Sequence, residues 1–317
     1  MKARSVLAVA AVVASASVAV AMPASAGLTT YCEGEAGAVN VPGDLRVAAA
    51  KSCVLDGTTV SGTVTVEAGA NLVITGGAFT GAVTVLDDGF FDAKGTQLKS
   101  TLTATDGYGF FLSGTTSGAI RVTSSQHPER GTYAYLSGAT VNGDLTSGVG
   151  EVFAQDSKLN GNVSGTGVSY VDLVNSVVDK NLSVSGAALG SVFCASEVYG
   201  NATYTGNQGS LQLGGNGPVV GCDQASYWNG NLTVSGNHAD VQVSNNIVRG
   251  NLGGVDNDPA PTGTNNRVRG TTSGQFVNLA APAAARSAAG GAHDRADVDS
   301  RRSEAKAEAK AAGPAAL

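Results

Sequence analysis

"NNIVRGNLGG" occupies residues 245–254 and joins Val, Ile and Leu to Asn and Gly at a spacing that suits no amphipathic helix. Related phrases stand at 157–163 (SKLNGNV), 176–182 (SVVDKNL) and 196–202 (SEVYGNA). With the glycine of the phrase as a register mark, the marks fall at Gly43, Gly62, Gly81, Ser100, Gly118, Gly143, Gly161, Lys180, Gly200, Gly230, Gly250 and Gly270. The intervals are 19, 19, 19, 18, 25, 18, 19, 20, 30, 20 and 20 residues. So regular a period over most of a chain defines a repeat array.

Within each repeat, apolar residues alternate with small polar ones, as in Val60, Val64 and Val66 or Val241 and Val243. Alternation of this kind, punctuated by Gly and Asn, is strand chemistry. A repeat of 19 residues with two or three strands makes one coil of a parallel β-helix. Coils stack about 4.8 Å apart, so twelve marks predict an all-β solenoid of about 12 coils and on the order of 55 Å. Insertions are expected at 123–131 and 206–222, inside the long intervals.

The residue after the mark is Asp144, Asn162, Asn181, Asn201, Asn231 and Asn251 in successive repeats, which stacking would bring into an asparagine ladder. A second corner column is Ser157, Ser176, Ser196, Ser226, Asn246 and Asn266. In these features the chain resembles the right-handed, pectate-lyase-like parallel β-helix superfamily. The stretch 245–276, from "NNIVRGNLGG" to "RGTTSGQF", is similar to the closing coils of secreted β-helix proteins from high-GC Gram-positive bacteria. It has Gly253, Gly254 and Phe276 where that pattern carries cysteines. The resemblance spans 40–276; it implies a single-stranded, right-handed β-helix and no activity.

The two ends read differently. Residues 1–26 pair a basic start (Lys2, Arg4) with an Ala/Val-rich run and a small-residue site at Ala24-Ser25-Ala26, which is the pattern of a secretory signal peptide. No second apolar run predicts a membrane span. Residues 281–317 hold six Lys/Arg and five Asp/Glu with no aromatic residue, and are expected to be a disordered tail with transient helix in "EAKAEAKAA" (304–312). The β-helix between them, 27–280, carries 11 basic and 20 acidic residues, a net charge of 11 − 20 = −9. That balance argues against nucleic acid and is compatible with a cationic partner.

Cysteine spacing fits export. Cys32 and Cys53 are 21 residues apart, and Cys194 and Cys222 also fall on successive coils. The coil rise lies within disulfide reach, so the pairs Cys32–Cys53 and Cys194–Cys222 are expected. With no CxxC or His pair nearby, a metal site is not expected, and nothing points to a cofactor.

Candidate chemistry is sparse. Asp87-Asp88 reads as a turn, "GGNGPVVG" (214–221) lacks the Asp of calcium-binding repeats, and the sequons at Asn162, Asn181, Asn201 and Asn231 follow from the ladder position. Trp228 takes a core place in the repeat. His127, with Glu129 and Arg130, lies in an inserted loop without a visible nucleophile.

Counting ten and eight residues back from the marks places Phe90, Tyr108, Phe110, Tyr133, Tyr135, Phe153 and Tyr170 on one outward face, with Phe193 joining after a one-residue shift. That is eight of 17 aromatic residues, interspersed with Asp92, Glu151, Asp172 and Asp240. Such a face suits an extended polysaccharide or a cell-surface protein, or serves only to stabilise the sheet, or is covered by a loop or the tail. The expected function is therefore a secreted or cell-wall-associated structural or binding module acting through this face. The competing reading is a polysaccharide lyase or glycoside hydrolase using Glu151 and Asp172. It lacks a basic partner in neighbouring coils, which leans against catalysis.

Overall fold

The computed structural model describes residues 27–124, 126, 131–282 and 296–317. Three parallel sheets wind into a β-solenoid of about thirteen turns. Sheet A has 13 strands, from Thr29–Tyr31 to Thr272–Gly274; sheet B has 11, from Gly34–Ala36 to His238–Val243; sheet C has 12, from Asn40–Val41 to Arg267–Val268. The chain visits A, B and C in turn, so each strand pairs with its equivalents one coil away.

Alternation in the sequence becomes an inside and an outside. In Leu182–Ser185 of sheet A, Leu182 and Val184 are buried while Ser183 and Ser185 keep partial exposure. The register joins Val64, Val83, Leu102, Ile120 and Leu145 into one inward column, each at most 1 % exposed. A one-residue slip would turn every such column outward, so the apolar pattern itself holds the register. Trp228 is fully buried, donates from Nε1 to Asn246 Oδ1 at 2.8 Å, and lies against Phe193 at 3.9 Å between ring centroids.

Corners decide the repeat signature. Backbones pass so closely at the mark that a Cβ added at Gly81 would meet the Gly62 carbonyl oxygen at 2.3 Å. Past the mark, Asn201 N, Asn231 N and Asn251 N each donate to the Oδ1 of the equivalent residue one coil earlier, all at 2.9 Å, on the outside of the rod. Inside, at the corner between sheets A and B, Asn207 Nδ2 donates to Asn237 Oδ1 at 2.9 Å and Asn237 Nδ2 to Asn257 Oδ1 at 2.8 Å. Both expected disulfides are present, Cys32–Cys53 and Cys194–Cys222, each with a Cα separation of 5.6 Å.

Four expectations need correction. The first insertion lies between Thr123 and Tyr133 as expected, but the second occupies 214–225, between Leu213 and Ser226, later than expected. Phe110 points inward, because the corner from Ser117 to Ile120 is one residue shorter than its neighbour from Leu98 to Leu102. Counting back from Gly118 is therefore off by one, and Phe111 takes the outer place. Phe193 is also inside: no register shift occurs, it pairs with inward Leu173, and Val192 stands outside.

The fourth correction concerns the tail, expected to be disordered. Residues Ala296–Ala312 form an α-helix, α1, laid on sheet B, with Val298, Ala305 and Ala309 at most 2 % exposed. Beyond it, Ala315 N donates to Glu35 O at 2.8 Å and Glu35 N to Gly313 O at 2.9 Å. Ala315 and Leu317 then pack against the first coil, closing one end of the core, while Phe276 closes the other at 2 % exposure. An open-ended solenoid would expose a cross-section of apolar core, and these segments remove it.

Trp228→Ala should lower stability by about 3–5 kcal/mol through cavity formation. Tyr199→Ala, at a half-exposed ring on sheet C, should change it by no more than about 0.5 kcal/mol. Urea unfolding followed by far-UV circular dichroism checks both.

Candidate functional site

The outer surface of sheet B carries two columns built by register. Asp92, Phe111, Tyr135 and Phe153 occupy one on successive coils, followed by Asp172. Phe90, Gly109, Tyr133, Glu151 and Tyr170 occupy the other. Gly109 is needed where it stands, since a Cβ there would come within 2.7 Å of the Tyr133 ring. Rings then run along the rod, with centroid separations of 5.2 Å for Tyr108–Tyr133, 4.8 Å for Tyr133–Tyr135 and 6.0 Å for Tyr135–Phe153. These contacts bury most of the rings: Tyr133 is 7 %, Tyr135 3 % and Phe153 6 % exposed.

Helix α1 covers the first half of this face. Arg302 pairs with Asp92 and lies over the Phe111 ring at 5.1 Å. Arg301 lies over Tyr108 at 5.0 Å, donates from Nε to Asn71 Oδ1 at 2.7 Å, and reaches the Asp88 carbonyl at 3.0 Å. Ser52 Oγ donates to Glu308 Oε2 at 2.5 Å farther down. Burial raises the Asp92 carboxyl above its ordinary range, although Arg302 draws it down. The tail therefore holds its place with guanidinium groups stacked on rings and few aliphatic side chains.

Beyond the helix the face holds a cleft of about 490 Å³, lined among the described residues by Tyr108, Tyr133, Tyr135, Glu151, Tyr170 and Asp172. Leu189, Val192 and Val219 supply apolar walls, and Asp297 and Val298 bring the start of α1 to its edge. Tyr170 Oη donates to Glu151 Oε2 at 2.6 Å, Tyr135 Oη donates to the same oxygen, and the two hydroxyls lie 3.1 Å apart. Burial, then the bond to Glu151, pushes both phenols well above the usual tyrosine range, so they stay protonated donors at neutral pH. Asp172 Oδ1 accepts the Val192 backbone N–H at 2.7 Å, which fixes that carboxylate within the sheet.

Of the residues expected on this face, Tyr108, Tyr133, Tyr135, Tyr170, Glu151 and Asp172 are gathered in the cleft. Phe153 packs beneath, against Tyr135, and Phe110 and Phe193 belong to the interior. Phe111 and Val192 were not anticipated, whereas the tail was one of the covers expected for this face and α1 takes that place over its first half. The loop residues His127, Glu129 and Arg130 lie outside the described residues. Among the described residues, those lining the cleft include carboxylates and phenols but no Lys, Arg or His. No family model, curated protein or solved structure matches the chain.

Arg302→Ala should loosen α1, because it leaves Asp92 buried without its cation, at a cost of at least about 1–3 kcal/mol. Limited proteolysis should then release a C-terminal fragment several-fold faster than in the wild type. Lys310→Ala, at an exposed position, should leave the cleavage rate unchanged.

Proposed function

We propose that this chain is an extracellular binding module that holds a polymeric partner, a cell-wall or matrix glycan or a surface protein, in the cleft of sheet B. The observation that carries this reading is the convergence of the Tyr135 and Tyr170 hydroxyls on Glu151 within a ring-walled cleft on a rigid sheet. Rings offer apolar faces, and the phenol and carboxylate oxygens orient polar groups laid across them. The scaffold holds these groups in one geometry, so little ordering is needed on binding.

The two disulfides accord with an oxidising compartment, and among the described residues no helix is long and apolar enough to cross a membrane. The repeat signature supports membership of the pectate-lyase-like superfamily, and the closing coils support kinship with the secreted β-helix proteins of high-GC Gram-positive bacteria.

The mature chain should co-sediment with purified Gram-positive cell walls. Tyr170→Ser combined with Leu189→Ser should reduce the bound fraction about tenfold, as expected for losing a ring and an apolar wall. Tyr199→Ser, on the face of sheet C, should have no effect. Release of soluble sugars by the wild type that is lost in Glu151→Gln would replace the binding module with an enzyme.

A further inference from the structure

The last two strands of sheet C gather like charge. Arg249 follows the strand Asn246–Val248, and Arg267 and Arg269 stand in and just after Arg267–Val268. The register sets Ile247 opposite Arg267 and Val248 opposite Val268, so Arg249 and Arg269 stack on adjacent coils. Val248 is fully buried, which turns the residues on either side of it outward, and all three arginines are exposed. Their Cα atoms are therefore about 4.8 Å apart between coils and about 6.6 Å apart along the last strand.

Elsewhere on the rod, charges on adjacent coils are opposite and paired: Arg46 with Glu67, Lys51 with Glu33, Lys158 with Asp179. At the end of sheet C the pattern reverses. Among the described residues none of the three arginines forms an ion pair. Their neighbours one coil back are Tyr227, Asn229 and Ile247. Along the two columns the first carboxylates are Glu197, three coils from Arg267, and Asp179, four coils from Arg269. Like charges set opposite one another weaken a sheet, and an anion relieves that repulsion. Beside them, Asn251 uses Oδ1 to accept Thr271 N and Oγ1 at 2.8 and 3.0 Å, while its Nδ2 has no acceptor among the described residues.

We propose that Arg249, Arg267 and Arg269 form a site for a phosphodiester group of an extracellular polyol-phosphate polymer. Guanidinium forks hold oxyanions through paired, charge-assisted hydrogen bonds. A tetrahedral phosphodiester offers oxygens to forks on two coils at once, whereas a planar carboxylate is filled by one. The rest of the rod repels such a polymer: without these arginines residues 27–280 hold 8 basic and 20 acidic side chains, 8 − 20 = −12. Contact is thus confined to the end of sheet C, which a flexible chain can reach and a duplex lying along the rod cannot. Tyr227 is the one ring beside the arginines in these two columns, too few for the stacking platform that single-stranded nucleic acid uses. The site lies apart from the cleft of sheet B and does not depend on it.

Biolayer interferometry of the full mature chain over immobilised poly(glycerol phosphate), polygalacturonate and oligothymidylate tests the site, with phosphatidylglycerol vesicles in a parallel sedimentation assay. Poly(glycerol phosphate) should bind, and rising salt should weaken it as expected for release of no more than about three counterions. Arg249→Gln combined with Arg269→Gln should reduce affinity about tenfold. The same change should leave the melting temperature unchanged or higher, because it removes a repulsion. Arg46→Gln, at an arginine already paired, and Tyr170→Ser with Leu189→Ser, in the cleft, should bind the polymer as the wild type does. Equal binding of polygalacturonate would overturn the phosphate selectivity. Vesicle or oligothymidylate binding without polymer binding, lost in the double arginine variant, would overturn the polymer in favour of that ligand. A polymer that fails to bind at low salt, or binds regardless of the arginines, would overturn the site itself.

Discussion

Each coil of this protein exists only because the next one satisfies it. A parallel strand of two to six residues has no partner within its own coil, so its N–H and C=O groups must pair with equivalents one repeat away. That requirement dictates a constant repeat, equivalent residues in columns, and small residues wherever corners approach closely. It also places like side chains above one another. At the corners the consequence is favourable, because an amide can give and accept along the column, outside through Asn201, Asn231 and Asn251 and inside through Asn207, Asn237 and Asn257.

The same stacking has a cost on an outer face that carries aromatic residues and carboxylates. Asp92, Phe111, Tyr135, Phe153 and Asp172 follow one another at coil spacing, and such a strip left bare is a sticky surface. The chain covers part of it with its own C-terminus. Arg301 and Arg302 neutralise and stack, Val298, Ala305 and Ala309 fill between them, and Ala315 and Leu317 continue to the end of the core. Among the described residues, what α1 leaves uncovered is the cleft around Glu151. Its position is thus set jointly by the sheet, which provides rings, and by where the helix begins.

Much of the site was legible because the repeat is a ruler. Tyr133, Tyr135, Glu151, Tyr170 and Asp172 could be assigned to one face by counting, since their coils keep a constant length between mark and strand. Counting failed at Phe110, where a single residue is missing from the corner at 117–120, and at Phe193, where a shift was assumed that the hydrogen-bond register does not make. The buried column of Asn207, Asn237 and Asn257 carried a signal that was there to be read: three asparagines, each seven residues past its glycine mark, at Gly200, Gly230 and Gly250.

The periodic pattern alone determined the all-β solenoid, its inward and outward faces and both disulfide pairs, because each depends on spacing within the repeat. The fate of residues 296–317 was decided only in three dimensions. Locally the segment is a charged, alanine-rich helix former with too little apolar surface to fold by itself. It becomes ordered because a distant sheet offers rings for its arginines and a buried Asp92 for one of them. Those partners lie some 200 residues earlier, at a separation of 210 between Arg302 and Asp92, and no local periodicity encodes such a contact.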